Sequence, residues 1–180
     1  MQNVDKINIE IKAHCESPEK VRQILDSLGA RYQGLDHQVD TYFNCEDGRL
    51  KLRSGSIENS LIFYKRGNQK GPKESDIALS KLQGNEGVGA VLEKAYGIKV
   101  IVDKQRHIYF IENVKFHVDS VKGLGAFVEI EAINDIGDGS EMIGKEKLLE
   151  QCGHYMEALQ VKEEGLIDRS YSDMILEKGN

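Results

Sequence analysis

Cysteine is scarce and scattered in this chain. Cys15, Cys45 and Cys152 are odd in number, far apart and contain no CxxC pair, which argues against a disulfide framework or a thiolate zinc site and for a reducing cytoplasm. No apolar run approaches the ~20 residues that span a bilayer. The opening Met1-Gln2-Asn3-Val4-Asp5-Lys6 carries no signal-peptide apolar stretch, so a cytoplasmic protein with no membrane partner is expected. A surplus of positive charge is missing too. The formal net charge of −6 argues against nucleic acid held by its phosphates. No Cys–His or Ser–His–Asp arrangement stands out as a nucleophilic centre. No repeat, low-complexity tract or linker divides the 180 residues, so one domain over 1–180 is expected.

What is present is a recurring alternation. Ile7-Asn8-Ile9-Glu10-Ile11-Lys12 sets three isoleucines against three polar residues, and on a strand these fall on opposite faces. Arg49-Leu50-Lys51-Leu52-Arg53 places three cations on one face. Lys115-Phe116-His117-Val118-Asp119 and Phe127-Val128-Glu129-Ile130-Glu131 set His, Asp and Glu against aliphatic neighbours. Four strands therefore each carry a charged face and an apolar one. If the charged faces turn towards each other, they line a polar tunnel.

Turn residues and periodicity order the rest of the chain. Ser17-Pro18-Glu19 opens a helix with Ser17 as N-cap and Pro18 at its first position. Its apolar stripe is Val21, Ile24, Leu25 and Leu28, and Gly29 stops it. Strands are expected at 39–43, 49–53, 61–66, 76–82, 98–102, 105–111, 114–119 and 126–132, and helices at 85–96, 140–152 and 155–159. A short capped helix follows Arg169-Ser170-Tyr171, starting at Ser170 or Asp168. About eight strands in hairpin order suggest an antiparallel α+β fold, and closure into a barrel would remove sheet edges and create an interior.

Glu10, Asp119, Glu129 and Glu131 would be neighbours in such a tunnel, and like charges ~4 Å apart repel by ~4 kcal/mol at an effective dielectric of 20. Protons, facing Lys and Arg residues or a divalent cation must neutralise them. Oxygen ligands with little His and no Cys favour Mg²⁺ or Mn²⁺ over zinc. Lys12, Arg49, Lys51, Arg53, Arg66, Lys73, Lys104 and Arg106 then find their counterpart in a triphosphate. His117 reads as a polar liner.

These residues resemble the CYTH superfamily of triphosphate tunnel metalloenzymes. Asn8-x-Glu10-x-Lys12 is similar to its N-terminal ExExK signature, and Glu129-x-Glu131 to its late carboxylate strand. Tyr64-x-Arg66, Gly71-Pro72-Lys73-x-Ser75, Lys104-Gln105-Arg106, Val118-Asp119 with the run to Glu131, and Arg169-Ser170-Tyr171 resemble the class IV adenylate cyclase branch. The resemblance implies an eight-stranded antiparallel closed tunnel with flanking helices, often homodimeric, that takes a nucleoside triphosphate or polyphosphate with Mg²⁺ or Mn²⁺. It implies Glu10, Asp119, Glu129 and Glu131 as metal ligands. Lys12, Arg49, Lys51, Arg53, Arg66, Lys73, Lys104, Arg106 and Arg169 would clamp phosphates or close the mouth, with Glu10, Lys12, Lys104 and Arg106 as the catalytic set. Asn8 departs from the signature, which has Glu there. Conversion of ATP to cyclic AMP, hydrolysis of a triphosphate and non-catalytic triphosphate binding are the three functions the resemblance leaves open.

Overall fold

The computed structural model describes residues 7–65, 67–83, 87–134 and 142–179. Eight strands, β1 (Ile7–His14), β2 (Arg31–Phe43), β3 (Arg49–Gly55), β4 (Ser60–Lys65), β5 (Lys73–Lys81), β6 (Ile98–Ile111), β7 (Val114–Val121) and β8 (Gly125–Ile133), close into one barrel in the order β1-β5-β4-β3-β2-β6-β7-β8. Every neighbouring pair is antiparallel. Four helices flank it: α1 (Pro18–Ser27), α2 (Val88–Tyr96), α3 (Lys145–Ala158) and α4 (Tyr171–Lys178). The expected α+β tunnel is the fold observed.

Alternation decides what lies inside. Ile9, Ile11 and Ala13 of β1 point outward and join Val114, Phe116 and Val118 of β7 and Val128, Ile130 and Ala132 of β8 in one buried cluster. Val21 and Leu25 of α1 and Leu148 and Cys152 of α3 cover that face. The first strand's aliphatic face lies mainly beneath α3, while α1 rests on β7 and β8. Leu28, assigned to the α1 stripe, is 42% exposed, because the stripe leaves the sheet one turn before Gly29. Ser17 is the N-cap residue by position, but its side chain accepts no cap hydrogen bond.

Several boundaries differ from those expected, for identifiable reasons. Segments 98–102 and 105–111 are one strand, β6, because Asp103 and Lys104 face opposite sides of a continuous ladder with β2 and are no turn. Segment 39–43 is the end of a longer β2. Its first half is polar on both faces, and a register shift between Tyr32 and Gly34 breaks the period; Gly34 accommodates the shift at φ 142°. Strand 76–82 starts at Lys73, which pairs with Glu10. Helices 140–152 and 155–159 are one helix, α3. The first residues of the predicted 85–96 helix and part of its 140–152 counterpart lie outside the described residues, as does Arg66.

The lumen has an apolar end and a charged middle. Tyr42, Ile62, Tyr64, Val102, Val121 and Phe127 fill the end where α4 docks, joined by Ile167 and Tyr171. The remaining inward positions are almost all polar.

Candidate active site

Register alone brings most of the charges together. Directly opposite pairs include Lys12 with Glu129, Glu10 with both Lys73 and Glu131, Asp40 with Arg53, and Arg106 with both Asp36 and Asp119. A buried charge is tolerable only when it is paired and hydrogen-bonded, and here each hub meets that condition.

Asp40 is the first hub. Its carboxylate accepts from Arg53 Nε at 2.8 Å and Nη2 at 2.9 Å, from Lys51 Nζ at 3.1 Å and from Lys104 Nζ at 2.8 Å. Burial would raise its pKa, but Arg53, Lys104 and Lys51 overturn that and hold it well below the usual carboxylate range. Lys104 is pushed down to about 7, by burial first and by Arg53, Arg106 and Lys51, against the pull of Asp40. The second hub is Arg106. It donates to Asp119 Oδ1 at 2.7 Å and to Glu129 Oε2 at 2.7 Å. Glu129 also lies 2.9 Å from Lys12 Nζ and 3.0 Å from His117 Nδ1, and despite burial the cations Lys12 and Arg106 keep it well below its ordinary value.

A further anion enters from the loop between β3 and β4. Glu58 pairs with Arg53 at 3.1 Å and with Lys115. Asp36 fixes that loop by accepting from the N–H groups of Ile57 (2.8 Å) and Glu58 (3.0 Å) and from Ser56 Oγ (2.9 Å). Gly55 is needed for this wrap, since a Cβ there would stand 2.6 Å from the Glu58 carbonyl oxygen.

At the opposite end α4 seals the lumen. Ser170 and Asp173 form a reciprocal capping box, and Asp173 also accepts from Arg49 at 2.8 Å. Tyr171 then points inward, donates to Asp119 Oδ2 at 2.8 Å and presents its ring 4.0 Å from Lys12 Nζ. The preceding segment ties Lys73 Nζ to the Ile167 carbonyl at 2.6 Å.

The structure therefore gathers Glu10, Lys12, Lys51, Arg53, Lys73, Lys104, Arg106, Asp119, Glu129 and Glu131 on the lumen face and sets Arg49 at the α4 end. It does not gather Arg169, whose side chain is 43% exposed and paired with Asp168 and Glu177. Asp40, Glu58, Asp36 and Gln38 were not singled out from the sequence, and Tyr171 was quoted only within the Arg169-Ser170-Tyr171 motif, with no role in the lumen. Asp40 had a readable signal, because the 44–48 turn sets it opposite Arg53; the Glu58 loop had none.

Among the described residues no three acidic, His or Cys side chains converge into a cluster able to hold a metal. Glu10 and Glu131 nevertheless stand directly opposite across β1 and β8, a like-charge pair that costs stability by itself. Asn8 Nδ2 donates to Glu131 Oε1 at 2.6 Å and Lys12 Nζ lies 3.9 Å from Glu10. This oxygen-only pair fits a hard cation that shares its remaining positions with water and substrate phosphates, and not an all-protein cage.

A closed antiparallel barrel with carboxylates and cations interleaved along its bore defines a tunnel protein of the kind the fold and site describe. The chain belongs to the CYTH family: the CYTH domain model matches residues 6–171. It is 28% identical over 183 residues to a candidate adenylate cyclase of Methanocaldococcus jannaschii, covering 93% of this chain and 98% of the relative. The solved structure of the PH1012 protein of Pyrococcus horikoshii superposes with a TM-score of 0.77 at 22% identity, covering 92% of this chain and 98% of that one. HpAC1 of Hippeastrum, a candidate adenylyl cyclase reported with a dominant triphosphatase activity, shares the fold with a TM-score of 0.61 at 14% identity, covering 96% of each chain.

Asp40→Asn leaves Arg53, Lys51 and Lys104 without their carboxylate, and chemical denaturation is expected to show a loss of about 3–5 kcal/mol. A loss below about 1 kcal/mol, the size typical of an exposed pair, would contradict the hub. Lys104 supplies a pH signature. Below about pH 7 it is charged in both folded and unfolded chains, so the cost of burying the ammonium is present in full. Between about 7 and its ordinary 10.5 the unfolded chain binds the extra proton, so stability rises with pH through that window. Lys104→Met should remove this increment. Identical pH slopes in the two proteins would contradict it.

Proposed function

We propose that the chain is a divalent-metal-dependent enzyme that holds a nucleoside triphosphate in the charged bore and converts ATP to cyclic AMP and pyrophosphate, the class IV adenylate cyclase reaction. The observation that carries the reading is the stack of buried cations whose present partners are carboxylates. Phosphate oxygens match the same donors, and Arg in particular offers a planar fork for them. The named character of the M. jannaschii relative agrees.

In this reading Lys12, Lys104 and Arg106 grip the triphosphate from β1 and β6, while Lys51, Arg53 and Lys73 extend the clamp and Arg49 guards the α4 end. The ribose 3′ oxygen attacks the α-phosphorus, and its proton is released to water. The bond to the bridging oxygen breaks, and the electron pair leaves with pyrophosphate. Lys104 and Arg106, already oriented by Asp40, Asp119 and Glu129, stabilise the charge that builds on the leaving group without reorganising. Glu10 and Glu131, with Asp119 and Glu129 as further oxygen donors, would hold Mg²⁺ or Mn²⁺, which would supply charge neutralisation and acidify the 3′ hydroxyl. Closure by α4 and the Glu58 loop keeps bulk water from competing as nucleophile.

A second reading is hydrolysis of tripolyphosphate, thiamine triphosphate or a nucleotide in the same bore. Asn8 favours it, since an amide beside Glu131 contributes no charge where the family signature has a carboxylate. The triphosphatase activity reported for HpAC1 points the same way.

Incubation with ATP, tripolyphosphate and thiamine triphosphate under each metal, followed by chromatography, separates the readings. Cyclic AMP with pyrophosphate is the expected product pair; orthophosphate with a diphosphate would transfer the assignment to hydrolysis. Glu129→Gln should abolish turnover yet retain part of the metal-free nucleotide binding, whereas Lys104→Ala should weaken triphosphate affinity itself. Unchanged affinity would remove Lys104 from the site.

A further inference from the structure

Lys115 stands on the lumen face of β7. Its neighbour Phe116 points outward into the helix-covered cluster, and Lys115 lies directly opposite Glu131 of β8. Its ammonium pairs with Glu58, the carboxylate delivered by the loop between β3 and β4. The same carboxylate accepts from Arg53 Nη1 at 3.1 Å and from Gln38 Nε2 at 3.1 Å. One loop anion thus joins a β3 cation to a β7 cation, on strands that are not neighbours in the barrel.

Glu58 is held differently from the other lumen carboxylates. Asp40 and Asp119 sit on strands, set opposite their arginines by register, with side chains only 3% and 0% exposed. The Glu58 side chain is 21% exposed and owes its place to a loop. Asp36 fixes that loop through its main chain, by accepting from the N–H groups of Ile57 and Glu58. The side chain can therefore turn outward while the backbone stays. The groups it leaves keep their orientation: Arg53 remains bidentate to Asp40 through Nε and Nη2, and Gln38 still donates to Asp36.

We propose that Arg53 Nη1 and Lys115 Nζ form a phosphate-binding pair masked by Glu58, and that a phosphate of the entering polyanion takes over both donors as the Glu58 side chain swings out. The inference deepens the triphosphate reading above and rests on it. Carboxylate and phosphate oxygens suit the same charged donors, so the exchange conserves the hydrogen bonds of both cations. Glu58 loses two cationic partners and gains water, an exit that a fully enclosed carboxylate lacks. When the binding-competent state is a minority of the ensemble, apparent affinity falls by its population. Glu58 thereby limits how tightly the bore holds a polyanion, and Lys115 adds a cation to the clamp.

The test is calorimetric titration with tripolyphosphate without divalent metal. Glu58→Gln should bind at least about tenfold more tightly than the wild-type chain, the gain expected when a state populated at ~10% or less becomes the dominant one. Glu58→Asp keeps the charge but is one methylene too short to hold both cations from a fixed backbone, so it should also bind more tightly. Lys115→Ala added to Glu58→Gln should lose about tenfold, the worth of one charge-assisted hydrogen bond. No gain in Glu58→Gln overturns the proposal. A gain there with Glu58→Asp equal to wild type also overturns it, because general charge repulsion then suffices. So does an unchanged affinity on adding Lys115→Ala. Crystals of the wild-type chain soaked with tripolyphosphate need no variant to fold: phosphate oxygens should lie on Arg53 Nη1 and Lys115 Nζ with Glu58 turned away. Phosphate in the lumen with Glu58 still on both cations would contradict the masking alone. If neither the wild-type chain nor Glu58→Gln binds tripolyphosphate or ATP, the triphosphate reading falls, and this proposal with it.

Discussion

Charge compensation inside the barrel is the constraint on which the rest depends. Lys12, Arg53, Lys73, Lys104 and Arg106 are all buried together with Asp40, Asp119 and Glu129. Any one of these groups left alone in a low-dielectric interior would cost several kcal/mol. Antiparallel register solves the problem locally, by setting Asp40 beside Arg53, Arg106 beside Asp119 and Lys12 beside Glu129. The strand order solves it globally, because β3, β2, β6, β7, β8 and β1 follow one another around the barrel and each hub can reach across to a third strand. Such a network is rigid and already partitioned into donors and acceptors. On the function proposed above, an entering polyanion would exchange partners with cations that are held in place.

The outside of the barrel explains why the inside can be so polar. β1, β7 and β8 place their aliphatic residues under α1 and α3, and that external layer supplies a hydrophobic core which a small filled barrel would keep within. Freed from packing duty, the lumen carries chemistry. It is not polar throughout, however. Tyr42, Tyr64, Phe127 and Tyr171 make an apolar stopper at the α4 end, and Tyr171 joins that stopper to the charged layer through Asp119.

Much of this was legible in the sequence wherever the two faces of a strand differ. β1, β3, β7 and β8 alternate cleanly because one side meets a helix or a cation cluster and the other does not. The first half of β2 was illegible, since Arg31, Gln33, Asp36, His37 and Gln38 are polar on either side and Gly34 breaks the period. Lys73 read as loop because Gly71-Pro72 precedes it, although it opens β5 opposite Glu10. Glu58 reaches the lumen through a loop anchored by Asp36, and no periodicity reports such an insertion. In Arg169-Ser170-Tyr171 the charge drew attention to Arg169. The helix start turns Tyr171 inward and leaves Arg169 outside.

The most direct measurement is a crystal structure of the chain with Mn²⁺ and a non-hydrolysable ATP analogue, read by anomalous scattering. The account predicts phosphate density within reach of Lys12, Lys104 and Arg106 and a manganese peak beside Glu10 and Glu131. A triphosphate seated instead in the external cleft of about 620 Å³ lined by Arg49, Lys65 and Lys99, with the lumen ion pairs unchanged, would contradict it.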